Sequence, residues 1–144
     1  EAFTTTELYP EAIELSFSTV EAYFSNETAA SLSRFSDVLL LGHDYSEDLD
    51  RLQRLLQLAE EADVSPNGKA FPRIGAIGSR SKWKSFTDSC IEVGIQPTSL
   101  DGVRCPIGLN IGAESPEEIA IAVIAEILSM HKDADVHAPN WRDQ

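Results

Sequence analysis

The chain has 144 residues and a formal net charge of −13, with 42% hydrophobic and 24% charged residues. That length suits one domain with a real core, and that acidity excludes the broad cationic surface on which nonspecific nucleic-acid binding depends. No apolar run approaches the ~20 residues that cross a bilayer and no signal peptide is legible, so no membrane association is expected.

The two cysteines, Cys90 and Cys105, lack metal-type spacing. Without an export signal they predict free thiols in a cytoplasmic chain. Cys90 falls in a helical pattern and reads as structural. Cys105 precedes a proline in a loop and is more open to a role. His43, His131 and His137 form no ligand cluster, so no metal site is expected. The chain opens without Met, which suggests a processed or cut piece of something longer.

Residues 1–10 hold few apolar positions and end in Tyr9-Pro10, a loop. Residues 11–17 alternate Ile13, Leu15 and Phe17 and predict a short strand. Ser18 or Thr19 then caps a helix from Val20 that Asn26 soon ends, and 28–35 predict a second short helical piece.

Residues 37–42 (DVLLLG) are a compact apolar run, the pattern of a strand buried on both faces. The strand leaves through Gly42-His43-Asp44 into a strong helix, with Asp44 and Glu47 spaced as a capping box. Leu49, Leu52, Leu55, Leu56 and Ala59 form its buried stripe. Glu47 with Arg51, and Asp50 with Arg54, are i,i+4 pairs in the favourable order.

Ser65, Pro66, Asn67 and Gly68 break the chain before a second apolar run at 74–77. Gly78-Ser79 turns it, and helical spacing over 81–93 presents Trp83, Phe86, Cys90 and Ile91 to the core. A strand passing through Gly-Ser into a helix leaves backbone N–H groups free at the positive end of the helix dipole, which is a ready anion site. Lys69, Arg73, Arg80, Lys82 and Lys84 lie in a stretch with no acid between Asp63 and Asp88. The same pattern also suits a plain strand-to-helix turn with a solvated basic start. Gly94 is placed to end the helix in the left-handed conformation, with Ile95 packing back. Residues 96–104 read as a linker with a helical turn after Thr98.

In 105–119 (CPIGLNIGAESPEEI), Gly108 and Gly112 separate small apolar pairs as neither helix nor strand requires. This predicts a structured loop whose backbone passes close to something. Ser115 then caps a helix with Pro116 at its first position and Glu118 closing the box. Ile119, Ala120, Val123, Ile124, Ile127 and Leu128 are its expected buried face. From Asp133 the tail is polar and expected to fray, with Trp141 as its one docking residue.

Strand, helix, strand, helix, with glycine at each strand exit, predicts a parallel α/β sheet. Ligands of such sheets sit at the carboxyl ends of the strands. Gly42-His43-Asp44 and Gly78-Ser79-Arg80 therefore share one functional rim. No Gly-x-Gly-x-x-Gly is present.

Residues 74–80 (IGAIGSR) and 106–120 (PIGLNIGAESPEEIA) resemble the XdhC/CoxI family, accessory proteins of xanthine dehydrogenase and related molybdenum hydroxylases. Residues 41–44 (LGHD) are similar to its third signature, where threonine is more usual than Gly42. The resemblance implies an α/β Rossmann-like fold, a three-layer parallel sheet, over 1–132, with a polar tail at 133–144. Residues 3–12 resemble the segment after the family's second strand, which implies that the first β-α-β unit and an N-terminal domain lie upstream.

The resemblance further implies a cytoplasmic chaperone for cofactor insertion. It would bind the molybdenum cofactor (molybdopterin), support its sulfuration by a cysteine desulfurase, and deliver it to a hydroxylase such as xanthine dehydrogenase. Gly78, Ser79 and Arg80 are the expected contacts for the cofactor's phosphate, through backbone N–H groups and the guanidinium. His43 and Asp44 are expected on the same cleft, although Asp44 also suits an exposed cap. Gly108, Asn110 and Gly112 are second-rank; the family often has Asp where Asn110 stands. The alternative is an NAD(P)-dependent oxidoreductase, and a third reading is a structural half that forms a homodimer. No nucleophile with base, paired acid and base, or metal cluster stands out, so no catalytic residue is assigned and binding protein ranks above enzyme.

Overall fold

The computed structural model describes residues 11–139; the loop expected at 1–10 and the docking expected of Trp141 lie outside them. Two short helices come first, α1 (Val20–Phe24) and α2 (Ala29–Leu32). Thr19 caps α1 by accepting from the Ala22 N–H at 3.1 Å, and Thr28 and Ser31 exchange bonds across the start of α2. The strand expected over 11–17 does not form, and Phe17 is 82% exposed. Alternation marks a strand only where a neighbouring strand takes up its backbone groups, and none among the described residues pairs with this segment.

Strand β1 (Asp37–Leu40) pairs in parallel with β2 (Arg73–Ala76), Asp37 opposite Arg73 and Leu40 opposite Ala76. The chain returns alongside β2 at Arg104, which donates to the Ile74 carbonyl and accepts from the Ala76 N–H at 3.0 and 2.9 Å. Among the described residues the sheet is thus two strands and one further bridge. Helix α3 (Tyr45–Glu61) joins the strands, α4 (Arg80–Glu92) and the short α5 (Pro97–Leu100) lead on from β2, and α6 (Pro116–His131) ends the fold.

Side chains alternate across each strand, and the two faces meet different partners. Leu40, Ile74 and Ala76 pack with Leu52, Leu55, Leu56 and Ala59 of α3 and with Phe86 and Cys90 of α4 in one core. Leu39 and Ile77 turn the other way, into an apolar groove against Ile119 and Val123 of α6. The result is helix, sheet, helix: a Rossmann-type arrangement of three layers.

The second layer of helix is thinner than the apolar patterns predict. Leu41 is half exposed, so the β1 run is covered on one face and only partly on the other. Of the α6 face expected inside, Val123 is buried, but Ala120, Ile124 and Leu128 are exposed, and Ala122 and Glu126 are buried in their place. Periodicity locates an apolar stripe but says nothing of how much sheet is there to cover it. Ile91, expected in the core, is also exposed, because Phe86 and Cys90 set the inward face of α4.

The caps follow the sequence closely. Gly94 adopts φ +93, and the Ile95 N–H bonds back to the Cys90 carbonyl at 3.1 Å while its side chain is buried. Ser115 accepts from the Glu118 N–H at 3.2 Å and Glu118 reaches back, a complete box with Pro116 inside it. At α3 only half of the expected box forms: Asp44 accepts from the Glu47 N–H at 3.1 Å, while the Glu47 carboxylate pairs with Arg51 at 3.3 Å instead.

Candidate functional site

The parallel register places the exits of β1 and β2 side by side at one edge of the sheet. From the second exit a cleft of about 520 Å³ runs between the start of α4, residues 106–113 and the flank of α6. Its polar and backbone surface comes from Gly78, Ser79, Gly108, Asn110 and Gly112, and apolar side chains such as Ile107, Leu109 and Ile119 form its walls. Two segments about thirty residues apart, each singled out by its glycines, thus meet in space.

Each half is shaped by local rules. Ser79 caps α4, accepting from the Lys82 N–H at 3.2 Å. Helix geometry leaves the N–H groups of Arg80 and Ser81 outside the intrahelical ladder. On the other side Gly108 and Gly112 take φ +125 and +76, a region that L side chains enter only under strain. The loop between is anchored through three consecutive N–H groups: Ile107 to the Ala76 carbonyl at 2.9 Å, Gly108 to the Glu126 carboxylate, and Leu109 to the Ala122 carbonyl at 3.1 Å.

Three of the eight candidate positions lie outside the cleft lining. Arg80 occupies the first turn of α4 with its side chain exposed beside the rim. His43 and Asp44 sit at the neighbouring strand exit. The Asp44 carboxylate is engaged by Ser46 Oγ at 2.7 Å and the Glu47 N–H, which hold it below the usual carboxylate range.

The basic stretch does not converge on the cleft. Arg73 forms a two-pronged pair with Asp37 at 2.8 and 2.9 Å, at the amino end of the sheet. Lys84 pairs with Asp88 at 2.8 Å on the outer face of α4. Lys82 curls inward, donating to the Ile77 carbonyl at 3.0 Å and lying 3.9 Å from Asp48. Proximity in sequence gathered these charges; helix and strand geometry sends them to different faces.

Two buried carboxylates escaped the sequence reading. Asp48 is 1% exposed and accepts from the Gly42 N–H at 3.1 Å and Arg51 at 3.0 Å. Glu126, 3% exposed, accepts from Arg104 and from the Gly108 N–H. The signal was an acid standing on an apolar stripe: Asp48 in phase with Leu52, Leu55 and Ala59, and Glu126 in phase with Ala122 and Val123.

Among the described residues no group of three His, Cys, Asp or Glu is placed to hold a metal ion. Burial raises the Cys90 thiol to about 11; burial also raises Cys105, against the pull of Lys82. Neither is poised as a thiolate at neutral pH. No helix among the described residues is long and apolar enough to cross a membrane.

A parallel sheet between helix layers, with glycine turns at its carboxyl edge, defines a Rossmann-type α/β domain. The chain belongs to the XdhC family, matching its Rossmann domain over residues 1–127. It is 41% identical over 61 residues to an uncharacterized protein, YqeB, of Escherichia coli K12, covering 42% of this chain and 11% of that protein. It is 42% identical over 59 residues to a probable xanthine dehydrogenase subunit of Bacillus subtilis, covering 41% of this chain and 16% of that one. A crystal structure of a xanthine dehydrogenase from Bacillus halodurans superposes with a TM-score of 0.63 at 21% identity, over 96% of this chain and 35% of that chain. The chain thus spans well under half the length of these relatives, and at that identity the superposition speaks for the fold alone.

Proposed function

We propose that this chain is the cofactor-holding domain of an accessory protein that binds the molybdenum cofactor, supports its sulfuration by a cysteine desulfurase, and passes it to a xanthine dehydrogenase or related molybdenum hydroxylase. The observation that carries this reading is the cleft in which Gly78 and Ser79 meet Gly108, Asn110 and Gly112, in a chain of the XdhC family. Its volume lies within the range of small-molecule sites. Apolar walls from Ile107, Leu109 and Ile119 suit a planar pterin ring, and the start of α4 suits its phosphate. A Cβ at Gly78 would stand 2.7 Å from Lys82 Cδ, so the glycine leaves room for Lys82 to fold back onto the Ile77 carbonyl beside the cleft.

In this reading Ser79, Asn110 and the N–H groups at the start of α4 bind and orient the cofactor, and Arg80 supplies charge from the rim. When bound, the cofactor supplies the molybdenum chemistry of the hydroxylase that receives it. The chain's own part is to hold it, shield one face with apolar side chains, and release it.

The test is retention of pterin. The protein is incubated with molybdenum cofactor, freed of excess, and assayed for pterin as its fluorescent oxidised derivative, beside an NADH titration. Saturable pterin retention, weakened by Arg80→Ala and by Asn110→Trp, which would block the cleft mouth, is the expected result. Saturable NADH binding without pterin would replace this reading with the oxidoreductase one. Binding of neither ligand would remove the cleft as a cofactor site.

A further inference from the structure

Helix α6 carries a carboxylate in the least expected place. Glu126 stands between Val123 and Ile127, on a helix whose other inward residues are apolar, and is 3% exposed. Its two oxygens are taken by different partners, one by the Arg104 guanidinium and one by the Gly108 backbone N–H. A buried carboxylate is costly unless paired and fully hydrogen-bonded, and this one meets both conditions. Its partners are not incidental. Gly108 lines the cleft and adopts φ +125; Arg104 is the residue that bridges to Gly75 of the sheet.

The same arrangement occurs at the other strand exit. Asp48 accepts from the Gly42 N–H and from Arg51, again a buried helical carboxylate shared between a glycine amide and an arginine. There the anchored glycine lies outside the cleft lining. The fold thus holds two copies of one anchoring device, and one of them is at the cleft.

We infer that Glu126 is a positioning residue for the cleft. It fixes Gly108, and through it the backbone of residues 108–112, in the conformation that receives the ligand, with Arg104 balancing its charge. The Ile107 and Leu109 amides, bonded to Ala76 and Ala122, hold the flanks of the loop. Glu126 alone reaches the amide between them by a side chain. Its contribution to affinity is pre-organisation, since a loop already in its bound form does not lose that freedom on binding.

The ligand half of this inference rests on the cofactor-binding reading above, so the test has two separate readouts. The first is amide hydrogen exchange by NMR in the ligand-free protein, for the parent, Glu126→Gln and Glu126→Leu. Gln keeps an acceptor for Gly108; Leu keeps the bulk but offers none, and half-exposed Arg104 can turn to water. Exchange at Gly108 and its neighbours is expected to rise about tenfold in the Leu variant, as loss of one buried hydrogen bond implies, and to change little in the Gln variant. The second readout is pterin retention, which should fall in the Leu variant and recover in the Gln variant.

Unchanged exchange at Gly108 in the Leu variant would overturn the inference. So would an equal rise through α3 and α4, or failure of that variant to fold, because either marks a general stabilising role. If the parent binds no pterin, the cofactor reading fails, and the exchange readout still decides whether Glu126 positions the loop.

Discussion

The Gly42 N–H donates to the Asp48 carboxylate at 3.1 Å, and that same carboxylate occupies the space a Gly42 side chain would need, 2.6 Å from an ideal Cβ. The exit of β1 and the first turn of α3 are therefore locked together by one residue that also pairs with Arg51. Removing it leaves the Gly42 N–H without its acceptor and Arg51 without its buried partner. Asp48→Ala is expected to cost about 2 kcal/mol, the scale of hydrogen bonds to a charged group, and Asp48→Asn clearly less. Urea unfolding reads this as a lower midpoint at unchanged slope. A loss within about 0.5 kcal/mol for the Ala variant, the scale of an ordinary surface change, would contradict the anchoring role.

Gly75 is the second place where a missing side chain decides packing. A Cβ there would stand 2.3 Å from Ile107 Cδ1 and 3.1 Å from its Cβ. Gly75→Ala should destabilise by about 2 kcal/mol through overpacking. Ile107→Val removes the closest atom, so the double variant is expected to recover about half of that loss. A double-mutant cycle in which the two changes simply add would show that the contact relaxes elsewhere.

Ser115→Ala removes one side of the box that starts α6, at an expected cost of about 1 kcal/mol. Because α6 carries Ile119, Ala122 and Glu126 to the cleft, thermal melts and pterin retention should decline together. A melt unchanged within error would mean that Pro116 and tertiary packing set this helix start without the cap.

The turn between α1 and α2 should be acid-sensitive. Hydrogen bonds from Arg34 and Ser31 hold the Glu27 carboxyl at about 2 against an ordinary 4.5. A depressed pKa contributes stability that is complete above the unfolded value and is lost as pH falls through the folded one. The stability gap between the parent and Glu27→Gln should therefore be constant at neutral pH and shrink as pH falls from 4.5 toward 2. A gap independent of pH would show that the two proteins differ for some other reason.

Much of this molecule was legible as sequence because its strongest signals are local. Thr19, Asp44 and Ser115 cap the helices they precede, as expected, while Thr28 and Ser79, expected as a helical and a turn residue, prove to be the caps of α2 and α4. Gly94 ends α4 by the same kind of short-range rule. These depend on which backbone groups a few neighbouring residues leave unpaired. Glycine spacing likewise marked both lips of the cleft, and the family motifs pointed to the Rossmann arrangement.

What the sequence could not decide depends on partners distant along the chain. Residues 11–17 alternate as a strand should, yet no strand among the described residues pairs with them. Ile124 and Leu128 continue the α6 stripe and remain exposed, because burial depends on what lies opposite. Lys69, Arg73, Arg80, Lys82 and Lys84 read as one basic island, and the fold sends Arg73 to Asp37, Lys84 to Asp88 and Lys82 inward. Asp48 and Glu126 looked like interruptions of apolar stripes, and only the fold brings each to a glycine amide and an arginine. The sequence by itself determined the helix caps and the glycine turns, since adjacent atoms settle those. Tertiary structure decided which charges are buried and what they hold, since a charge is buried only when distant partners replace the water it loses.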